Sequence, residues 1–164
     1  MFPFRRCFAI LFFIVTLAHA GLLNAPAPNF SLKNSKKQIR TLVSYKGKVV
    51  VVDFWASWCA TCQLELPAFD HLAADYKGKK LQVVAINVDT DRHAAKELLK
   101  KLALFNPHFE ILWDPKSKAV STYNIEAMPS SFILDQKGIV RFVHVSYHEH
   151  DPDTWRQEID SLLR

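Results

Sequence analysis

The chain has 164 residues, of which 49% are hydrophobic and 23% charged, with a formal net charge of +5. That size and composition fit one globular domain with a true core and exclude a disordered chain. Lys33, Lys36, Lys37, Arg40, Lys46 and Lys48 are dispersed among apolar positions, as on a solvated surface, so nucleic acid is not an expected partner.

The first twenty residues differ from the rest. Arg5 and Arg6 precede the apolar run Phe8 to Leu17, and Ala18-His19-Ala20 supplies small residues where a signal peptidase reads. The pattern predicts a signal peptide over residues 1–20 and one domain over residues 21–164, hence a periplasmic or otherwise exported protein. The run is shorter than the about 20 apolar residues that span a bilayer comfortably. Retained, it would be a weak N-terminal anchor. Cys7 lies at the start of this run, so removal of residues 1–20 would leave Cys59 and Cys62 as the domain's only thiols.

Pro26 and Pro28 mark an extended lead-in, and Phe30-Ser31-Leu32 reads as a first short strand. Lys46-Gly47-Lys48 turns the chain into Val49 to Trp55, a β-branched run typical of a central strand covered on both faces. Directly after it stands Trp58-Cys59-Ala60-Thr61-Cys62. Two residues between cysteines let both sulfurs meet at a helix start, where unpaired N–H groups and the helix dipole stabilise a thiolate. From Thr61 to about Tyr76 the apolar residues follow helical spacing, with a kink expected at Pro67. Leu81 to Val88 forms the next strand, completing a right-handed βαβ unit.

Ala95, Leu98, Leu99 and Leu102 define a second helix, followed by a short strand near Phe109 to Leu112 and a brief helix before Tyr123. Ser131 to Leu134 and Ile139 to Val145 flank Asp135-Gln136-Lys137-Gly138 and read as an antiparallel hairpin. Asp151-Pro152 then starts a terminal helix whose stripe is Trp155, Ile159, Leu162 and Leu163.

Asp53-Phe54-Trp55-Ala56-x-Trp58-Cys59-x-x-Cys62, the later Met128-Pro129 and the closing strand-turn-strand-helix resemble the thioredoxin superfamily. Within it, Ala27-Pro28-Asn29-Phe30-Ser31-Leu32, Cys62-x-x-Glu65-x-Pro67 and the extra βα segment between residues 81 and 112 are most similar to exported TlpA/ResA-like thiol-disulfide oxidoreductases. The implied fold is α/β and thioredoxin-like: a central mixed sheet with helices on both faces, an N-terminal extension and an inserted βα segment. The implied chemistry is dithiol exchange, in which Cys59 attacks a substrate disulfide and Cys62 resolves the mixed disulfide.

The resemblance also implies roles around the pair. Asp53, an acid inside an apolar strand, should have a raised pKa and take the proton of Cys62. Glu65, one helical turn beyond Cys62, would tune the cysteines. Pro129 matches the superfamily's cis-proline, and Met128, Ala127 and Trp58 would line an apolar docking rim for an extended substrate. No cofactor is implied beyond the redox-active Cys59-Cys62 disulfide. The expected partners are protein thiols and disulfides, with a membrane thiol as electron donor, and the chain is expected to be a monomer.

A structural disulfide is disfavoured because so short a loop restricts the unfolded chain little. Zinc would usually need four ligands, and one C-x-x-C supplies two. His144, His148 and His150 beside Glu149 and Asp151 suggest a metal, but a strand and a loop would separate them, so no metal site is expected. Ala60-Thr61 lacks the histidine of strongly oxidising sites, and residues 123–131 lack the Gly-x-Pro-Glu of the dedicated cytochrome-maturation branch. A copper-binding thiol chaperone would use both thiolates with Met128 nearby. A peroxiredoxin-type peroxidase shares the early Ala-Pro-x-Phe but not the C-x-x-C pair.

Overall fold

The computed structural model describes residues 21–104 and 106–164. The predicted leader, residues 1–20, lies outside them. No helix among the described residues is long and apolar enough to cross a membrane.

Among the described residues, seven strands form one mixed sheet: β1 (Ser31–Asn34), β2 (Ile39–Thr41), β3 (Val49–Trp55), β4 (Leu81–Asn87), β5 (Phe109–Trp113), β6 (Ser130–Leu134) and β7 (Val140–Val145). Their order is β2-β1-β5-β4-β3-β6-β7. β3, β4 and β5 are parallel, while β6 runs antiparallel to β3 and β7 antiparallel to β6. The helices are α1 (Ala60–Asp75), α2 (Arg92–Lys101), α3 (Lys118–Thr122) and α4 (Asp151–Leu163), with a 3-10 turn over Leu42–Tyr45.

The continuous apolar runs became the centre. Every residue of β3 and β4 is buried, as a strand covered on both faces requires. Side chains alternate along β3, so Asp53 and Phe54 serve different faces. Phe54 joins Tyr123 and Phe132 in an aromatic cluster with ring centroids 5.2 to 6.1 Å apart. Elsewhere α1 lies against α4, where Phe69 stacks on Trp155 at 4.1 Å. Trp155 and Ile159 are fully buried, whereas Leu162 and Leu163 are only half-buried at the fraying end of the expected stripe.

Two elements differ from the sequence reading. β2 and the 3-10 turn were not anticipated, because Ile39-Arg40-Thr41 is a three-residue edge strand with no buried position to set a period. Helix α1, expected over Thr61 to about Tyr76, spans Ala60–Asp75 with Pro67 inside it. The β6–β7 turn is as expected: Gly138 takes a positive φ of 82° and donates its N–H to the Asp135 carbonyl.

Candidate functional site

Cys59 is the N-cap of α1, and the pair is closed as a disulfide with Cys62. The Cys59 sulfur accepts the Cys62 backbone N–H at 3.2 Å, one of the donors a helix start leaves free. An N–H and a helix dipole directed at Sγ favour a thiolate there once the disulfide is reduced. Cys59 is 7% exposed and Cys62 fully buried. Burial therefore distinguishes the attacking sulfur from the resolving one.

The loop before the dithiol is held by an acid the sequence reading missed. Asp89 accepts the Ser57 backbone N–H and hydroxyl, each at 2.9 Å, and the Asn87 side-chain amide at 2.6 Å. Gln63 reaches back from α1 to the Ser57 carbonyl at 3.0 Å. The only available signal was the Asn87-x-Asp89 spacing at the end of a buried strand.

Asp53 and Glu65 meet beneath the dithiol. Asp53 lies on β3, and Glu65 follows Cys62 by one turn on the inward stripe of α1. Asp53 is fully buried and Glu65 is 1% exposed. The two carboxyl groups are neighbours, and the Phe54 backbone N–H also bears on Asp53. Two carboxylates cannot hydrogen-bond each other, so the contact requires one of them to carry a proton. Burial pushes Asp53 up to about 7. Burial raises Glu65 well above the carboxylate range, and the nearby charges of Asp53 and Asp151 raise it further. Glu65 is thus the proton donor in the contact, and Asp53 the acid that ionises near neutrality.

Across the sheet, Asp53 pairs with Ser131 on β6, and Ser131 with His144 on β7. Directly opposed residues share a face, so a polar row leads from Asp53 to the sheet edge. There His144 Nε2 lies 2.8 Å from Glu158. His148 instead lies by Asp151 at 3.5 Å, and His150 stands at the N-cap position of α4 without a side-chain cap bond. No three His, Cys, Asp or Glu side chains converge as metal ligands among the described residues.

The Met128-Pro129 bond is cis. Ser130 pairs with Phe54, so Pro129 stands at the same end of the sheet as Trp55 and the dithiol loop. Pro129 is buried, Met128 half-buried and Ala127 exposed, while Trp58 is 70% exposed. The residues expected to line a docking rim therefore lie at the dithiol end, with Trp58 as its projecting aromatic group.

A thioredoxin-type dithiol on this sheet order is matched by comparison with known proteins. The AhpC/TSA family profile covers residues 23–143. The chain belongs to the AhpC/TSA family. It is 37% identical to the thioredoxin-like protein YneN of Bacillus subtilis over 73% of its own length and 69% of the relative's. It is 32% identical to the thiol-disulfide oxidoreductase ResA of Bacillus cereus, covering 70% and 64% respectively. The chain thus spans 64 to 69% of the length of these two curated relatives. Among solved structures, a candidate thiol:disulfide interchange protein DsbE from Chlorobium tepidum superposes with a TM-score of 0.77 at 34% identity, covering 85% of this chain and 96% of that one. The AhpC/TSA members it resembles are thus named for thiol-disulfide chemistry, in agreement with the TlpA/ResA-like reading.

Proposed function

We propose that the chain is an exported protein-disulfide reductase acting through Cys59 and Cys62. The observation that carries this reading is the Cys59 sulfur at the cap of α1, backed by the buried Asp53–Glu65 pair. In the reduced form the Cys59 thiolate attacks one sulfur of a substrate disulfide, and the other substrate sulfur leaves and takes a proton. Asp53 accepts the Cys62 proton, and Cys62 then attacks the Cys59 sulfur. The second substrate thiol departs, two electrons have moved, and Cys59-Cys62 is a disulfide again. A membrane dithiol restores the starting state.

Trp58, Ala127, Met128 and Pro129 form the substrate rim in this reading. The signal-like residues 1–20 support export, either as a cleaved leader or as an anchor. The lack of a histidine between the cysteines favours reduction over disulfide donation, and the absence of Gly-x-Pro-Glu favours a general reductase over a dedicated cytochrome-maturation enzyme.

A Cys62→Ser variant expressed with its own leader should trap substrates as mixed disulfides on Cys59, while wild-type cysteines rest reduced in the same compartment. Resting oxidation would reverse the direction proposed. Stoichiometric Cu(I) binding without any trapped partner would replace the enzyme reading with a copper chaperone.

A further inference from the structure

Lysines dispersed in the sequence are gathered by the fold at the end opposite the dithiol. Lys46 and Lys48 precede β3, Lys79 and Lys80 precede β4, and Lys137 lies in the β6–β7 turn. These positions share one end because Val49 pairs with Leu81 and Val50 with Leu134. β3 has seven residues, which puts roughly 20 Å between this end and the dithiol. The dithiol end is balanced: its unburied acids Asp91, Glu126, Glu149 and Asp151 are matched by Lys33, Arg92, Lys116 and Lys118.

The basic end is a shaped surface. A cavity of about 330 Å³ opens between the Pro26-Ala27 segment, Leu42, Val43 and the β6–β7 turn, with Lys46, Lys48 and Lys137 among its lining residues. Gly47, at a φ of 81°, donates its N–H to the Gln136 carbonyl at 3.1 Å, joining the two lysine-bearing turns. Gln136 also borders the neighbouring depression lined by Lys79, Lys80 and Arg164. None of these five lysines is in an ion pair among the described residues. The acids at this end are already engaged: Asp75 by Arg156, Asp135 by Arg141 and Asp160 by the Tyr76 hydroxyl.

We propose that this end docks on an anionic phospholipid surface, with headgroup phosphates on the lysines and the dithiol facing substrates on the side away from the bilayer, the domain leaving the surface to be recharged by the membrane dithiol. Charge complementarity alone would also suit an acidic protein, but the route of the chain favours lipid. Asn24 and Ala27 donate backbone N–H groups to Val140 and Gly138, so the lead-in from residues 1–20 runs beside the lysine turns. Leu17, the last residue of the apolar run, is ten residues from Ala27, a reach of at most roughly 35 Å. With that run retained as an anchor, the lysine end stays within this reach of the headgroups. The half-exposed Leu23 and the exposed Val43 add apolar contact there.

The test uses the full chain with phosphatidylcholine vesicles, with or without about a third phosphatidylglycerol, at low and high salt. Each lysine near an anionic surface is worth about a fivefold change in partition, screened as salt rises. Phosphatidylglycerol should therefore raise wild-type partition at least about tenfold at low salt. The increment should vanish when Lys46, Lys48, Lys79, Lys80 and Lys137 are all replaced by glutamine and persist in Lys116→Gln/Lys118→Gln at the dithiol end. Reduction of soluble insulin should be unchanged in both variants, which establishes that they fold. Trp58 is the exposed tryptophan, the other three being at most 4% exposed, and its emission should escape quenching by headgroup spin labels. Equal partition with and without phosphatidylglycerol overturns the proposal, as does loss of the increment in both variants. Retention on polyglutamate without any preference for anionic vesicles would overturn it in favour of an acidic protein partner.

Discussion

Asp53 and Glu65, twelve positions apart in the chain, face each other in the core as an acid pair that must hold a proton between them. Because Asp53 is the member that ionises near pH 7, its base form becomes available within the working range of dithiol exchange. Resolution of a mixed disulfide on Cys59 should accelerate as pH rises through about 7. In Asp53→Asn the resolution rate at pH 8 should fall by about a hundredfold, within the range of general-base effects. Stopped-flow release of product from a preformed Cys59 mixed disulfide measures this, and an unchanged profile in the variant would remove Asp53 from the step.

The same burial makes stability depend on pH. Asp53 keeps its proton to about 7 in the fold but only to about 4 in the unfolded chain. Between those values the folded state binds more protons, so stability falls as pH rises and levels off above about 7. The ionised acid costs the fold on the order of 4 kcal/mol at pH 8. Oxidised Asp53→Asn should therefore resist urea better than wild type at pH 8, by about 2 to 4 kcal/mol, with the difference shrinking toward pH 4. A gain equal at both pH values would show that Asp53 ionises normally in the fold.

Much of this arrangement was legible in the sequence because the relevant signals are local. β3 and β4 are continuous apolar runs, the β6–β7 turn carries its own glycine, and the dithiol sits at a strand-to-helix junction. Asp53 and Glu65 were each recognisable, but their contact depends on α1 folding back over the sheet, which residue spacing does not encode. The same holds for the lysines at the opposite end: in sequence they are dispersed, and the register of β4 and β6 on β3 brings them together. β2 escaped notice because an exposed three-residue edge strand has no hydrophobic period.

Glu65 acts in the acid pair as a neutral hydrogen-bond donor, so a side chain that keeps the donor should keep the function. Glu65→Gln is expected to hold the Cys59 thiolate pKa and the neutral-pH resolution rate close to wild type. Glu65→Ala leaves Asp53 without its donor and should lower both stability and resolution rate. Ultraviolet thiolate titration of the reduced protein distinguishes the two. A large Cys59 shift in Glu65→Gln would mean that Glu65 is charged at neutral pH.

Asp89 gathers the Ser57 N–H, the Ser57 hydroxyl and the Asn87 amide around one carboxylate. Truncation to alanine leaves those donors unsatisfied at a buried site, at a cost of about 2 kcal/mol. Because Ser57 precedes Trp58 and Cys59, the loss should reach function as well. Asp89→Ala is expected to lower kcat/KM for protein disulfides more than for a small disulfide, since Trp58 lies on the proposed docking rim. Parallel assays on the two substrates test this, and equal losses would confine Asp89 to fold stability.

Asp114 caps α3 from outside the helix. Ser117, at the usual cap position, has a φ of 50° and makes no side-chain cap bond. Instead Asp114 accepts backbone N–H groups from Lys118, Ala119 and Val120 at 2.9, 2.8 and 3.3 Å. A carboxylate on the first turn satisfies free donors and complements the positive end of the helix dipole. α3 leads directly into Tyr123, whose ring packs on Phe54 and whose hydroxyl donates to the Pro28 carbonyl at 2.8 Å. Loss of the cap should therefore loosen both α3 and the approach to Met128-Pro129. Asp114→Ala is expected to cost about 2 kcal/mol, toward the upper end for a helix cap, with hydrogen exchange rising first at Lys118 to Tyr123. Protection unchanged over that segment, in a variant that is nevertheless destabilised, would place the role of Asp114 elsewhere in the fold.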